Sequence, residues 1–277
     1  MRKSIAIIIT SILVLSGCNK QQSVSDRLLN EVEKAIAINP DSASNLLKGI
    51  SSPEKLDNKT FARWCMLSGK ITDEIFNSIL PTYQLERAYD WYSSHGSPDE
   101  QVQILIYLGR SYFADGDYDK AMSIYTNALD IAGKNKLNNL IGYTYDYIGD
   151  LYREKFMRTE AIKRYEIAAE YFKKEKNTDS YACALRDIGR EYAQMDSLSH
   201  ALNILIIADS VAANTSNINV TASINNALGN IYSMQNKYDK AEEYLLKALL
   251  TGREKMPDYV ALIDLYTCLL YTSPSPR

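Results

Sequence analysis

An all-α stack of antiparallel helix pairs is the fold class this 277-residue chain predicts. Three observations carry it. Gly109 recurs as Gly149, Gly189 and Gly229, each 40 residues after the last. Fixed columns accompany each glycine at offsets that share one helix face. Between the two sets of columns lies a short run such as Asp115-Gly116-Asp117, whose residue types favour a turn over a helix. Self-similarity at such a period is the mark of a solenoid, in which each unit buries its apolar face only against its neighbours.

The columns justify each element of the repeat in turn. Three residues after glycine come Tyr112, Tyr152, Tyr192 and Tyr232, on the same face of a first helix. Twelve after it come Ala121, Ala161, Ala201 and Ala241, and nineteen after it Ala128, Ala168, Ala208 and Ala248. Between the two alanines stands Tyr125, Tyr165, Leu205 or Leu245, so spacings of four and three mark one buried stripe on a second helix. Glycine on the first helix and alanine on the second allow two backbones to approach closely, with tyrosine filling the space beside them as part of the core. Asn225 breaks an otherwise apolar column of Leu105, Tyr145 and Leu185, a local weakness.

Leu108-Gly109, then Tyr112, Ala121, an aromatic and Ala128 resemble the tetratricopeptide repeat from about Val102 to Leu250. That resemblance implies a right-handed α-solenoid that offers its concave face to a protein or peptide partner. The spacing departs from the family's 34 residues. The six extra residues per unit fall in 133–139, 173–179, 214–219 and 252–258, which predicts longer helices and longer turns between units. Upstream the pattern fades: Gly69 keeps the register, but Thr72 stands in the tyrosine column and Pro81 in the alanine column. Segments 61–76 and 85–96 still read as a helix pair. Residues 25–50 read as another, broken at Asn39-Pro40-Asp41 with a cap for the next helix. Residues 26–100 are thus expected to be degenerate repeats, and 101–267 four units plus the start of a fifth.

The two ends read differently. Arg2 and Lys3 precede an apolar run from Ile5 to Leu15, too short to span a bilayer and fitted to a signal peptide over 1–17. Leu15-Ser16-Gly17-Cys18 resembles a bacterial lipobox, which implies cleavage before Cys18, lipidation of its thiol and a polar tether over 18–25. The expectation is a lipoprotein of the cell envelope, facing the periplasm and held to a membrane by its N-terminal lipid, for which more than one acyl chain anchors firmly. At the other end the register demands glycine at 269, where Leu269 stands. Residues 268–277, CLLYTSPSPR, resemble a translated sequencing-library adapter. The expectation is that native sequence stops near Thr267.

Composition narrows the chemistry. The chain has 46 % hydrophobic and 23 % charged residues, with 21 Tyr against 5 Phe and 2 Trp, and tyrosine suits surfaces apolar on one side and wet on the other. The formal charge of −3 becomes three units more acidic without Arg2, Lys3 and Arg277. No basic stripe exists, so no nucleic-acid partner is expected. His95 and His200 are the only histidines, and no metal spacing, cofactor motif or catalytic constellation is found. Cys65 and Cys183 are expected to be unbridged, small apolar residues.

One set of polar columns remains. Asp146 and Asp150 share their columns with Arg186 and Arg190, and with Asn226 and Asn230, while Arg110 stands in the column of Asp150. In repeats of this kind these positions line the concave face. They read either as a ladder of acid against base between units, or as a groove in which arginine forks and asparagine amides grip a carboxylate or backbone. The function expected is a lipid-anchored interaction scaffold with no enzymatic activity. The other reading is the extracytoplasmic sensory half of a longer membrane-bound regulator.

Overall fold

The computed structural model describes residues 24–75, 79–252 and 255–272; the segment read as a signal peptide, Cys18 with its expected lipidation, and residues 273–277 lie outside them. Among the described residues there are thirteen α-helices, a single 3-10 turn at Pro53–Lys55 and no strand. The helices are α1 (24–36), α2 (Pro40–Lys48), α3 (Asn58–Ile75), α4 (Thr82–His95), α5 (Pro98–Ala114), α6 (Tyr118–Asn135), α7 (Asn138–Glu154), α8 (Arg158–Lys174), α9 (Thr178–Gln194), α10 (Leu198–Ala212), α11 (Ile218–Met234), α12 (Tyr238–Thr251) and α13 (Met256–Thr272). They form two compact units, Met1–Ile131 and Ala132–Arg277. The fold class is the expected one of helix pairs.

In both units the glycine column does its work through what it leaves out. A Cβ on Gly109 would collide with the Tyr125 ring of the following helix. In the second unit a Cβ would lie 2.5 Å from Tyr165 Cε1 at Gly149, 2.8 Å from Leu205 Cγ at Gly189 and 2.6 Å from Leu245 Cγ at Gly229. All eight alanines of the two alanine columns are fully buried. Small residues on both helices thus let the backbones close in, and one large side chain from the second helix fills the notch.

Tyr125 and Tyr165 are fully buried tyrosines; of the tyrosines three residues after glycine, Tyr232 is a core residue and Tyr112, Tyr152 and Tyr192 pack against the core from its edge. Tyr112, Tyr152 and Tyr192 are half-buried and Tyr232 is buried; a hydroxyl is costly to bury without a partner. Tyr112 donates its hydroxyl hydrogen bond to Glu86. Each ring instead has a cation or imidazole from its second helix beside its face: Lys120 at 5.1 Å, Arg164 at 5.5 Å, His200 at 5.8 Å and Lys240 at 5.4 Å from the centroid.

The turns repeat as strictly as the helices. Seven residues after each glycine the backbone enters the left-handed region, at Gly116 (φ 79°), Phe156 (56°), Asp196 (57°) and Asn236 (58°). Two residues later the second helix begins, at Tyr118, Arg158, Leu198 and Tyr238. Pro81 moves that start four residues later, to Thr82. The six extra residues per unit go chiefly into helix length: α6 ends at Asn135 and α7 begins at Asn138. Residues 213–217 make a longer link. Helix α13 continues through Cys268 to Thr272, with Leu269 against the core around Leu245 and Leu265.

The N-terminal unit has its own fastenings. Asn39 caps α2 by accepting from Ser42 N at 2.9 Å, as the sequence suggests. Ser97 and Glu100 form a reciprocal capping box at the start of α5.

Candidate functional site

The polar columns of α7, α9 and α11 lie in the second unit, and burial sorts them. Arg186 points inward. Its Nε and Nη2 fork onto Asp187 Oδ1 and Oδ2 at 3.0 and 2.6 Å, and its Nη1 donates to Ser223 Oγ of α11 at 2.9 Å. Burial disfavours the Arg186 charge, but Asp187 outweighs it and holds the guanidinium above its ordinary pKa. Asp187 is likewise pushed up by burial and pulled below the usual carboxylate range by Arg186. Bidentate pairs of this geometry are the strong ones.

Arg190, one turn on, fares differently. Its side chain is 41 % exposed and its contact to Asp187 Oδ1 is long, 3.5 Å. Burial and then the neighbouring Arg186 charge pull its pKa down to about 10, against Asp187; it stays cationic at neutral pH. Along the same column Asn230 is exposed and donates to Asn226 Oδ1 at 3.0 Å. Asn226 is buried and donates to Asp258 Oδ1 of α13 at 2.8 Å. Both ends of the Asn226 amide are therefore committed within the protein.

On α7 the acids meet partners other than those the columns suggest. Asp150 Oδ1 accepts from Tyr165 at 2.7 Å and pairs with Arg153 at 2.9 Å. Asp146 Oδ1 is buried with no hydrogen-bond partner. Burial, then Asp150 and Asp187, push its pKa well above the usual range. Burial also raises Asp150, against Arg153. Among the described residues neither acid makes an ion pair with Arg186 or Arg190. The acid both arginines meet is Asp187, and a charged link from α8 to α9 of the next repeat is Arg158 to the buried Glu191 at 2.9 Å. A one-residue shift of column separates Asp187 from Arg186, which is why reading identical columns missed it.

Arg110 lies in the other unit, paired with Asp73, which also accepts from Tyr107 at 3.1 Å. Cys183 sits 3.7 Å from Arg186 Nη1. Burial raises its thiol pKa, opposite to the shift a reactive cysteine needs. Cys65, buried, is raised too, and both are unbridged. The more exposed members of these columns are Arg190 and Asn230, whose contacts run to the buried Asp187 and Asn226.

Two stretches of the chain, 105–138 and 221–256, match family profiles described as tetratricopeptide repeat. Over 91 residues, 32 % of this chain, it is 32 % identical to Photosystem I assembly protein Ycf3 of Rippkaea orientalis, and the match spans about half of that relative, 52 %. Among solved structures, Rap protein complexed with Competence and Sporulation Factor superposes with a TM-score of 0.66 at 17 % identity, covering 87 % of this chain and 80 % of that one. BtubC (BKLC) from P. vanneervenii does so with a TM-score of 0.56 at 16 % identity, covering 94 % and 95 %. These structural likenesses speak to fold. The chain thus carries tetratricopeptide repeats at 105–138 and 221–256, set in an all-helical fold of helix pairs.

Proposed function

We infer that this chain is a protein–protein interaction scaffold that holds an extended segment of a partner protein along α7, α9 and α11. In this reading Arg190 and Asn230 take a carboxylate of that segment. The observation that carries it is the state of Arg190. Its guanidinium has given up part of its water, stands beside the like charge of Arg186 and has one long contact with Asp187, already saturated by Arg186. An incoming carboxylate offers the fork the partner it lacks. Asn230, one unit along, supplies an amide that can donate or accept. Such repeats bind extended segments by many modest contacts on a rigid surface. The Rap structure, solved with Competence and Sporulation Factor, supports a binding role for the fold. The reading assigns no catalytic residue.

The test is selection from a displayed library of random peptides, followed by Arg190→Ala. Selected peptides should share a carboxylate, and the substitution should weaken them about tenfold, which is about 1.4 kcal/mol, with unchanged thermal unfolding. Equal binding by both proteins would overturn the reading. The lipobox-like segment supports a further element, an acylated Cys18 that holds the scaffold at a membrane of the cell envelope. Cys18→Ser should then move the protein from the membrane fraction to the soluble one.

A further inference from the structure

At the α13 side of the polar columns stands a run of hydrogen bonds whose direction is fixed from one end. Asp258, in the first turn of α13, is buried, and its Oδ1 accepts from Asn226 Nδ2 at 2.8 Å. Asn226, also buried, turns its own Oδ1 to Asn230 Nδ2, one helical turn on, at 3.0 Å. A carboxylate only accepts, whereas an asparagine amide has one accepting and one donating end. Asp258 therefore decides the order. It requires the donating end of Asn226, which presents Asn230 with an accepting end and so requires the donating end of Asn230. Turning the Asn226 amide over would set its oxygen against a carboxylate oxygen and leave buried groups unsatisfied. Each bond also polarises the next, so the run supports itself. The repeat does not impose it: 40 residues earlier, Ile218 and Arg186 stand where Asp258 and Asn226 do.

We propose that Asp258 and Asn226 are positioning residues that hold Asn230 so that its Oδ1 accepts a backbone N–H of the bound segment. This rests on the carboxylate reading above and extends it. Asn230 is exposed, and among the described residues no group donates to its Oδ1. Its second N–H can still reach the carboxylate that Arg190 takes. Its oxygen cannot, since two acceptors repel, and so it calls for a donor. First helices of adjacent units stand about 10 Å apart, and an extended chain covers about 3.3 Å per residue. The N–H that Asn230 accepts therefore lies about three residues from the acidic side chain. The ligand class narrows to an acidic extended segment with a free backbone N–H at that distance, which excludes proline or an N-methylated residue there.

The order of the bonds can be read without ligand. In the full chain, NMR couplings through the hydrogen bonds should join Asn226 Nδ2 to Asp258 Cγ and Asn230 Nδ2 to Asn226 Cγ. A coupling in the reverse sense, from Asn226 Nδ2 to Asn230 Cγ, would overturn the proposal. The ligand probes are acetyl-Tyr-Ala-Ala-Ala-Glu-Ala-Ala-Ala-amide and versions with lactic acid in place of one alanine at a time, so that an ester oxygen replaces one N–H. One such replacement, about three residues from the glutamate, should weaken binding about fivefold. In Asn230→Ala it should make no difference. In Asp258→Asn, whose amide can donate as well as accept, the penalty should fall to about twofold. A fivefold penalty kept in either variant, or equal binding of all the esters by the parent, would overturn the positioning role. Glutamine in place of the peptide's glutamate tests the other reading separately. If it binds equally well while the ester penalty persists, the carboxylate reading fails and the role of Asn230 stands. No binding of any probe at millimolar concentration would overturn both.

Discussion

Between α3 and α4, Arg87 lies over the Phe61 ring at 4.0 Å and donates to the carbonyls of Glu54 and Leu56 and to Asn58 Oδ1 at 3.0, 2.8 and 3.0 Å. Between α7 and α8, no long side chain is needed in that role, because Gly149 meets the Tyr165 ring directly and Ala161 and Ala168 are fully buried. The difference follows from the columns. In the α3–α4 pair Pro81 replaces the first alanine and delays the second helix, and a long cationic side chain ties the helix to the preceding loop. Backbone contact through small residues is the cheaper device, as it immobilises few rotamers. It also tolerates substitution less.

The comparison can be broken most severely at Gly149. Gly149→Val starts a branched side chain 2.5 Å from Tyr165 Cε1 and should cost about 3 kcal/mol in urea unfolding. Gly133, in the last turns of α6 with nothing within 4 Å of its Cβ direction, should behave oppositely. Gly133→Ala should add about 0.5–1 kcal/mol. Equal losses at both would mean that notch filling is not what the glycine column is for. Arg87→Met is next, with an expected loss of about 2 kcal/mol from its charged hydrogen bonds. A loss below about 0.5 kcal/mol would show that apolar contacts alone hold the α3–α4 pair.

The turns sharpen the comparison at smaller scale. Gly116→Ala forces a Cβ into the left-handed region and should cost about 1 kcal/mol. Phe156→Asn places there the residue type of Asn236 and should gain about 0.5 kcal/mol. Urea midpoints that fail to move in opposite directions would count against strain at these positions.

The smallest effect is electrostatic. Asp146 is raised by burial and neighbouring acids, so the folded state binds its proton more tightly than the unfolded chain does. Its contribution is fully present below the unfolded carboxylate value near 3.9 and is lost as pH rises through the higher folded value. Asp187, held low by Arg186, contributes stability above the unfolded value that is lost as pH falls through its folded value. Stability measured from pH 4 upward should therefore fall less in Asp146→Asn than in the parent. An unchanged slope would place the Asp146 carboxyl outside the acidic cluster's influence.

The helix pairs, the glycine notches and the buried alanines were legible because each repeats at a fixed offset, and periodicity survives in one dimension. So did the cap at Asn39. The floor of the candidate site was not legible. Asp187 is adjacent to Arg186 in sequence, and nothing in that adjacency says that the two side chains turn toward each other, that Ser223 completes the fork, or that Asn226 is spent on Asp258. The tyrosines three residues after glycine were legible as packing positions, but the side chains beside their outer faces were not, because those come from columns whose residue type varies: Lys120, His200 and Lys240 in one, Arg164 in another.

By itself the sequence determined which residues are small, which are large and how often they recur, and backbone geometry turns that directly into helix pairs of one fold class. Only the tertiary structure decided which charges of the polar columns are satisfied and which stand open. Charge compensation depends on distance in three dimensions and on how much water each group has lost, and neither quantity is carried by spacing along the chain.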